Sequence, residues 1–116
     1  MFMQLSTFLE NLQSSPESIE FQDTMAVIET AYTYTPSAFN NGALVNQAGE
    51  NEGSCKLFAF AKLNNLDEEK TLACFGAYYR EDVLQNPDSD NHQNIRNFMK
   101  TGWAGIAFDK VVLTNR

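Results

Sequence analysis

No lysine or arginine occurs before Lys56. The segment up to Cys55 carries seven acids: Glu10, Glu17, Glu20, Asp23, Glu29, Glu50 and Glu52. Beyond it eight acids meet eight bases, so the whole net charge of −7 lies in the first half. Duplex DNA and anionic lipid are bound through Lys and Arg that neutralise phosphates, so no nucleic-acid and no membrane partner is expected. A basic protein partner is compatible with this surface, and a plain solvated acidic face explains it equally.

Long apolar runs are missing as well. None reaches the roughly 18 residues that a membrane-spanning helix needs. Met1–Ser15 has neither the positive n-region nor the apolar h-region of a Sec signal, and it has none of the arginines of a mitochondrial presequence. Histidine occurs once, as His92, and cysteine twice, as Cys55 and Cys74. Without an export signal the two thiols are expected to be reduced. One His and two Cys so dispersed give no zinc spacing. Asp88-x-Asp90-x-His92 begins like a calcium loop, but it lacks the required Gly and has Met99 where the bidentate Glu belongs. Gly42, Gly49 and Gly53 are followed by no Gly-Lys-Ser/Thr, so no phosphate loop exists. No metal and no cofactor is expected.

The chain does have material for a core. Its 116 residues are 43% apolar, with nine Phe, four Tyr and one Trp. That length suits one domain, and residues 1–116 show no repeat, linker or low-complexity tract. Leu5, Phe8, Leu9 and Leu12 recur at helical spacing, and Ser14-Ser15-Pro16 ends that first helix. Phe21, Met25, Ile28 and Tyr32 form a second helical row. Pro36 then forbids helix, and Asn41-Gly42 is a hairpin dipeptide, so Thr33–Phe39 is expected to run extended and return through Ala43–Asn46. Ser54 is expected to cap a buried helix carrying Leu57, Phe58, Phe60, Ala61 and Leu63. Asp67 is expected to cap the next, with Leu72, Phe75 and Tyr79 inward and Val83 and Leu84 continuing it. A last helix with Ile95, Phe98 and Met99 stops at Gly102, and Ile106–Val112 is a further strand candidate. The expected fold is mainly α: about five helices with a small antiparallel β element, α+β if the β part is counted.

Candidate chemistry starts at Gly53-Ser54-Cys55. A cysteine in the first turn of a helix meets unpaired N–H groups and the positive end of the dipole, which lower its pKa. The string resembles the nucleophile segment of papain-like proteases, but Lys56 replaces the aromatic that follows the cysteine there. The only histidine also lies far closer in the chain than in that family. A convergent catalytic pair of Cys55 and His92 is one reading, with Asp90, Asn91 or Asn94 orienting the imidazole. A packed thiol and a surface imidazole form the other, and Cys74 beside Phe75 reads as packing. Amides crowd two stretches, and Asn41, Asn46, Asn51, Ser54, Asn94 and Arg96 are candidate ligand contacts; satisfying loop backbone is their alternative role. Tyr78, Tyr79, Arg80 and Trp103 are of types enriched at contact surfaces. Of Tyr78 and Tyr79 one must face away from the core, because adjacent helical positions point about 100° apart.

Four longer strings resemble the HopJ type III effector family. They are Phe39-Asn40-Asn41-Gly42; Ala48-Gly49-Glu50-Asn51-Glu52-Gly53-Ser54-Cys55-Lys56; Thr71-Leu72-Ala73-Cys74-Phe75-Gly76-Ala77-Tyr78-Tyr79-Arg80 with Asp82-Val83-Leu84; and Asp90 to Met99 with Gly102-Trp103-Ala104-Gly105-Ile106. The likeness runs from about Pro16 to Phe108. It implies a bacterial cytoplasmic protein, with translocation by a type III system as the other destination, and an effector-type or regulatory domain that binds another protein without turnover. No catalytic residue comes with the resemblance. A small cysteine-dependent hydrolase or acyltransferase using Cys55 and His92, and a housekeeping protein binding a small ligand through the Asn-rich loops, are the alternatives.

Overall fold

A computed structural model describes residues 4–116, so the first three positions of the Met1–Ser15 segment lie outside the described residues. Phe58 is the hub of the core. Its fully buried ring lies between Phe39, Phe75, Phe98 and Trp103, at centroid distances of 6.2, 5.6, 4.9 and 6.5 Å. A second pair, Phe8 against Phe60 at 5.7 Å, continues the cluster, and Tyr32 closes on Phe60 from the other side. Burial of each such ring stabilises the fold by about 1.5–3 kcal/mol before packing is counted.

Five α-helices surround that cluster: α1 (Leu5–Ser14), α2 (Phe21–Ala31), α3 (Glu52–Leu63), α4 (Glu68–Ala73) and α5 (Gln93–Thr101). Helix α3 runs through the middle and buries Cys55, Leu57, Phe58, Ala59, Phe60 and Ala61, apolar on most sides as its composition requires. The strands are short: β1 (Tyr32–Tyr34), β2 (Phe39–Asn41), β3 (Leu44–Asn46), β4 (Ile106–Phe108) and β5 (Leu113–Asn115). All pairs are antiparallel, β1 with β5 and β2 between β3 and β4. The expected class, mainly helical with a small antiparallel β element, is the one observed.

Four details differ from the expectations, each for a physical reason. The extended segment splits. Tyr32–Tyr34 pairs with β5, and only Phe39–Asn41 returns through β3. The hairpin turn is Gly42-Ala43, one residue later than expected, with Gly42 at φ 62°. Asn41 is withdrawn from the turn because its side chain is fully buried and bonded elsewhere. Helix α3 starts at Glu52, so Ser54 is its third residue and not its cap. Finally, the row Leu72, Phe75, Tyr79, Val83 is not one helix. Gly76 breaks it at φ 63°, where a Cβ would lie 2.7 Å from the backbone nitrogen of Phe21, and a π-helical segment, Tyr78–Val83, follows.

Candidate functional site

The amide-rich stretches that are distant in sequence meet in space. Asn94, in the first turn of α5, is the centre. Its Oδ1 accepts from Asn41 Nδ2 at 3.0 Å and from Asn46 Nδ2 at 3.3 Å. Its own Nδ2 donates to Asn46 Oδ1 at 3.0 Å, and its backbone carbonyl accepts from Asn41 Nδ2 at 2.7 Å. Asn51 joins from the start of α3 by donating to Asn46 Oδ1 at 2.7 Å. Asn41, Asn46 and Asn94 are buried, so the network clamps the β2–β3 hairpin to the first turn of α5. Buried polar groups are rarely left unpaired, and of the amide atoms of these three side chains only Asn41 Oδ1 has no hydrogen-bond partner among the described residues.

In front of this clamp lies a cleft of about 550 Å3. Asn51, Ser54, His92 and Asn94 line it, with Gln93 beside them. Aromatic rings line it too, with Phe21 packed against Gly53. Phe75 stacks on Phe21 at 6.3 Å with their planes 10° apart, Phe21 meets Tyr78 at 5.1 Å, and Tyr78 meets His92 at 5.1 Å. The π-helical turn sets the last contact, because it brings Tyr78 and Asp82 together onto the start of α5, where Asp82 Oδ2 lies 3.0 Å from His92 Nε2. Such π segments are frequent at functional sites.

Both helices that open on the cleft start in the same unusual way. Asn51 (φ 48°) and His92 (φ 53°) precede α3 and α5 in left-handed conformation, and neither side chain caps its helix. The first intrahelical bonds run from Cys55 N to Asn51 O and from Arg96 N to His92 O, which leaves the N–H groups of Gly53, Ser54, Gln93 and Asn94 without intrahelical acceptors.

The other candidates lie elsewhere. Cys55 is buried, with its thiol directed at the Ser37 carbonyl at 3.8 Å. Because α3 begins at Glu52, the Cys55 N–H is already spent within the helix, and burial pushes the thiol above its ordinary pKa, against the lowering read from the sequence. No hydrogen bond joins Cys55 to His92 among the described residues. Tyr79 packs against the core, and Arg80 Nη2 donates to the Ile19 carbonyl and to Glu20. Arg96 is buried and staples the preceding loop, donating to Asn91 at 2.6 and 2.7 Å and to the Pro87 and Asp82 carbonyls. Trp103 Nε1 donates to the Leu66 carbonyl. These last four groups therefore have structural bonds or packing. Among the cleft residues, the sequence marked Tyr78 only as a contact-surface type, Gln93 only as a member of an amide cluster and Phe21 only as a helix-face residue. Among the described residues no three His, Cys, Asp or Glu gather as a metal site requires.

Fold and site together define a class: a mainly helical α+β protein with an amide-clamped cleft between two helix starts. The chain belongs to the HopJ family, since the model described as HopJ type III effector protein matches residues 5–113. It is similar to a crystal structure titled as that of VPA0580, a protein of unknown function. The two are 61% identical with a TM-score of 0.97, over 100% of this chain and 97% of the other. No curated protein matches it.

Proposed function

We propose that this HopJ-family chain acts by binding, without turnover of its own, and that the cleft between the starts of α3 and α5 holds a small polar ligand. The observation that carries this reading is the lining: aromatic rings together with amides and a hydroxyl, drawn from segments far apart in sequence. Concave sites of about 300–1,000 Å3 that combine apolar walls with a few convergent polar groups are the usual form of ligand pockets. The clamp of Asn41, Asn46 and Asn94 supports it further by holding the polar side rigid, so little order has to be gained on binding. A thermal-shift screen over polar metabolites tests it. A ligand at a hundred times its Kd should add about 2.7 kcal/mol of stability. Its amide NMR shifts should fall on residues 51–54 and 92–95; shifts confined to another face, or no stabiliser at all, would reject the site.

A second reading, contact with a protein partner, follows from the family description and from a groove on another face. Val111 is 70% exposed and Leu63 54% exposed, and both line this groove with Phe108 as apolar floor. Lys62 and Lys110, neither in an ion pair among the described residues, flank it. In a chain of net charge −7 this supports an occupant with apolar anchors flanked by carboxylates. Delivery of the chain into a recipient cell through a type III system belongs to the same reading, and a reporter fusion that stays in the producing cell would count against it.

A further inference from the structure

The cleft's lining narrows the ligand class, on the footing that the cleft is a binding site at all. We infer that it takes a flat, uncharged nitrogen heterocycle of nucleobase type, with its face on Tyr78 and its edge on the polar side.

Charge is the first argument. No Lys, Arg, Asp or Glu lines the cleft. Its one titratable imidazole, His92, is held by Asp82. A ligand buried there with a net charge would meet no free counter-ion, and an uncompensated charge is expensive to desolvate. An uncharged ligand avoids that penalty.

The aromatic lining is the second. The other described Phe, Tyr and Trp rings are buried in the core or packed against it, yet Tyr78 keeps 39% of its surface exposed. Phe21 and His92 each lie 5.1 Å from its ring, so it is held in place while part of its surface stays open. Its hydroxyl makes no hydrogen bond among the described residues. A ring fixed by its neighbours and partly open offers a stacking edge or face, and base–aromatic stacking needs only a π-face on the ligand.

The polar side supplies the edge. Asn51 spends its Nδ2 on Asn46, and Gln93 spends its Nε2 on the Asp90 carbonyl, which leaves the amide oxygen of each without a partner. The Ser54 hydroxyl also has none. Together with the N–H groups of Gly53 and Ser54, the cleft offers donors and acceptors side by side. That mixed pattern matches the edges of purines and pyrimidines, which alternate the same two roles. A sugar can lay its C–H face on such rings, which is why ribose is titrated in parallel, and inorganic anions would use only the N–H groups.

The test is a titration of the isotope-labelled full chain, followed by NMR, with adenosine, guanosine and uridine, and with ribose, inorganic phosphate and acetate in parallel. At least one nucleoside should give saturable shifts at residues 53–54, 78 and 92–95. Tyr78→Ala, whose ring lies at the surface, should keep the native spectrum and weaken that nucleoside about tenfold or more, while Tyr78→Phe should restore it. If ribose or phosphate alone reproduces the shifts, or if Tyr78→Ala binds as tightly as the parent, the heterocycle assignment is overturned. If no nucleoside shifts the cleft but a stabiliser from the metabolite screen does, the class is wrong and the binding cleft stands. If neither does, both fall.

Discussion

Helix starts differ across this molecule. Helix α4 begins at Asp67, whose carboxylate accepts from the Lys70 N–H at 2.8 Å, and at α2 Asp23 accepts from the Glu20 N–H at 3.0 Å. Helices α3 and α5 begin at Asn51 and His92 with no cap bond and a left-handed backbone. Asn is among the best capping residues, so α3 is uncapped through geometry and not through composition. Its amide is turned away to Asn46, as the His92 ring is turned to Asp82. A non-Gly residue in that conformation costs on the order of 1 kcal/mol or more, and such strain gathers where a site needs it. Helix α1 also begins without a side-chain cap, behind Gln4 in extended conformation, and α2, whose first residue Phe21 lines the cleft, is capped. What sets α3 and α5 apart is an uncapped start behind a left-handed residue at the cleft.

The sharpest way to break this contrast is Asn94→Ala. It removes the shared acceptor of Asn41 Nδ2 and Asn46 Nδ2 and the donor to Asn46 Oδ1, all buried. Leaving two buried amides short of partners should cost about 2–4 kcal/mol, read as a fall in the urea midpoint at unchanged m. A loss below about 1 kcal/mol would mean that the clamp does not hold α5 against the hairpin, and the rigidity invoked for the cleft would go with it.

Next in size are the caps themselves. Asp67→Ala should cost about 1 kcal/mol, because the Lys70 N–H loses its acceptor. His92→Gly should change stability by no more than about 0.5 kcal/mol, since glycine relieves the positive φ while the half-exposed contact with Asp82 is lost. Thermal melts of the two variants side by side decide the matter. Equal losses would erase the distinction between capped and open starts.

Much of this fold was legible in the chain. The Phe21–Met25–Ile28 row, the Asp67 cap and the Gly102 stop are local signals, and α2, α4 and α5 follow them. What was not legible depended on contacts between distant segments. The apolar row runs on past Gly76 without a flaw, and only the approach of the Phe21 backbone explains why the helix breaks there. Ser54 is a good cap on paper, but α3 starts at Glu52 behind Asn51, whose side chain bonds Asn46 and caps nothing. The amides stood out as two clusters, but their meeting at Asn94 is set by the register of β2 against β3. Tyr78 and Tyr79 were separable only as a pair, and which one faces out is set by the π-helical turn.

The smallest effect near neutral pH is expected at the two buried thiols, Cys55 in α3 and Cys74 just past α4. Burial raises Cys55 above its ordinary range and pushes Cys74 up to about 12. Alkylation of Cys55 at pH 7.5 should therefore be slow, should quicken in sub-denaturing urea as the core opens, and should not respond to His92→Ala. A slower reaction in His92→Ala would mean that the imidazole activates the thiol, and would support the pair as nucleophile and base. The same shifts fix the sign of the alkaline limb. The unfolded chain ionises its thiols near pH 8.5–9 while the folded chain keeps Cys74 protonated to about 12, so above pH 9 the unfolded state binds fewer protons. Stability should be flat with respect to the thiols below pH 8 and fall from about pH 9 upward, with Tyr34, also raised by burial, adding to the fall at still higher pH. Cys74→Ala should flatten the first part of that limb, and a limb unchanged in this variant would show that the thiol is not the group being titrated.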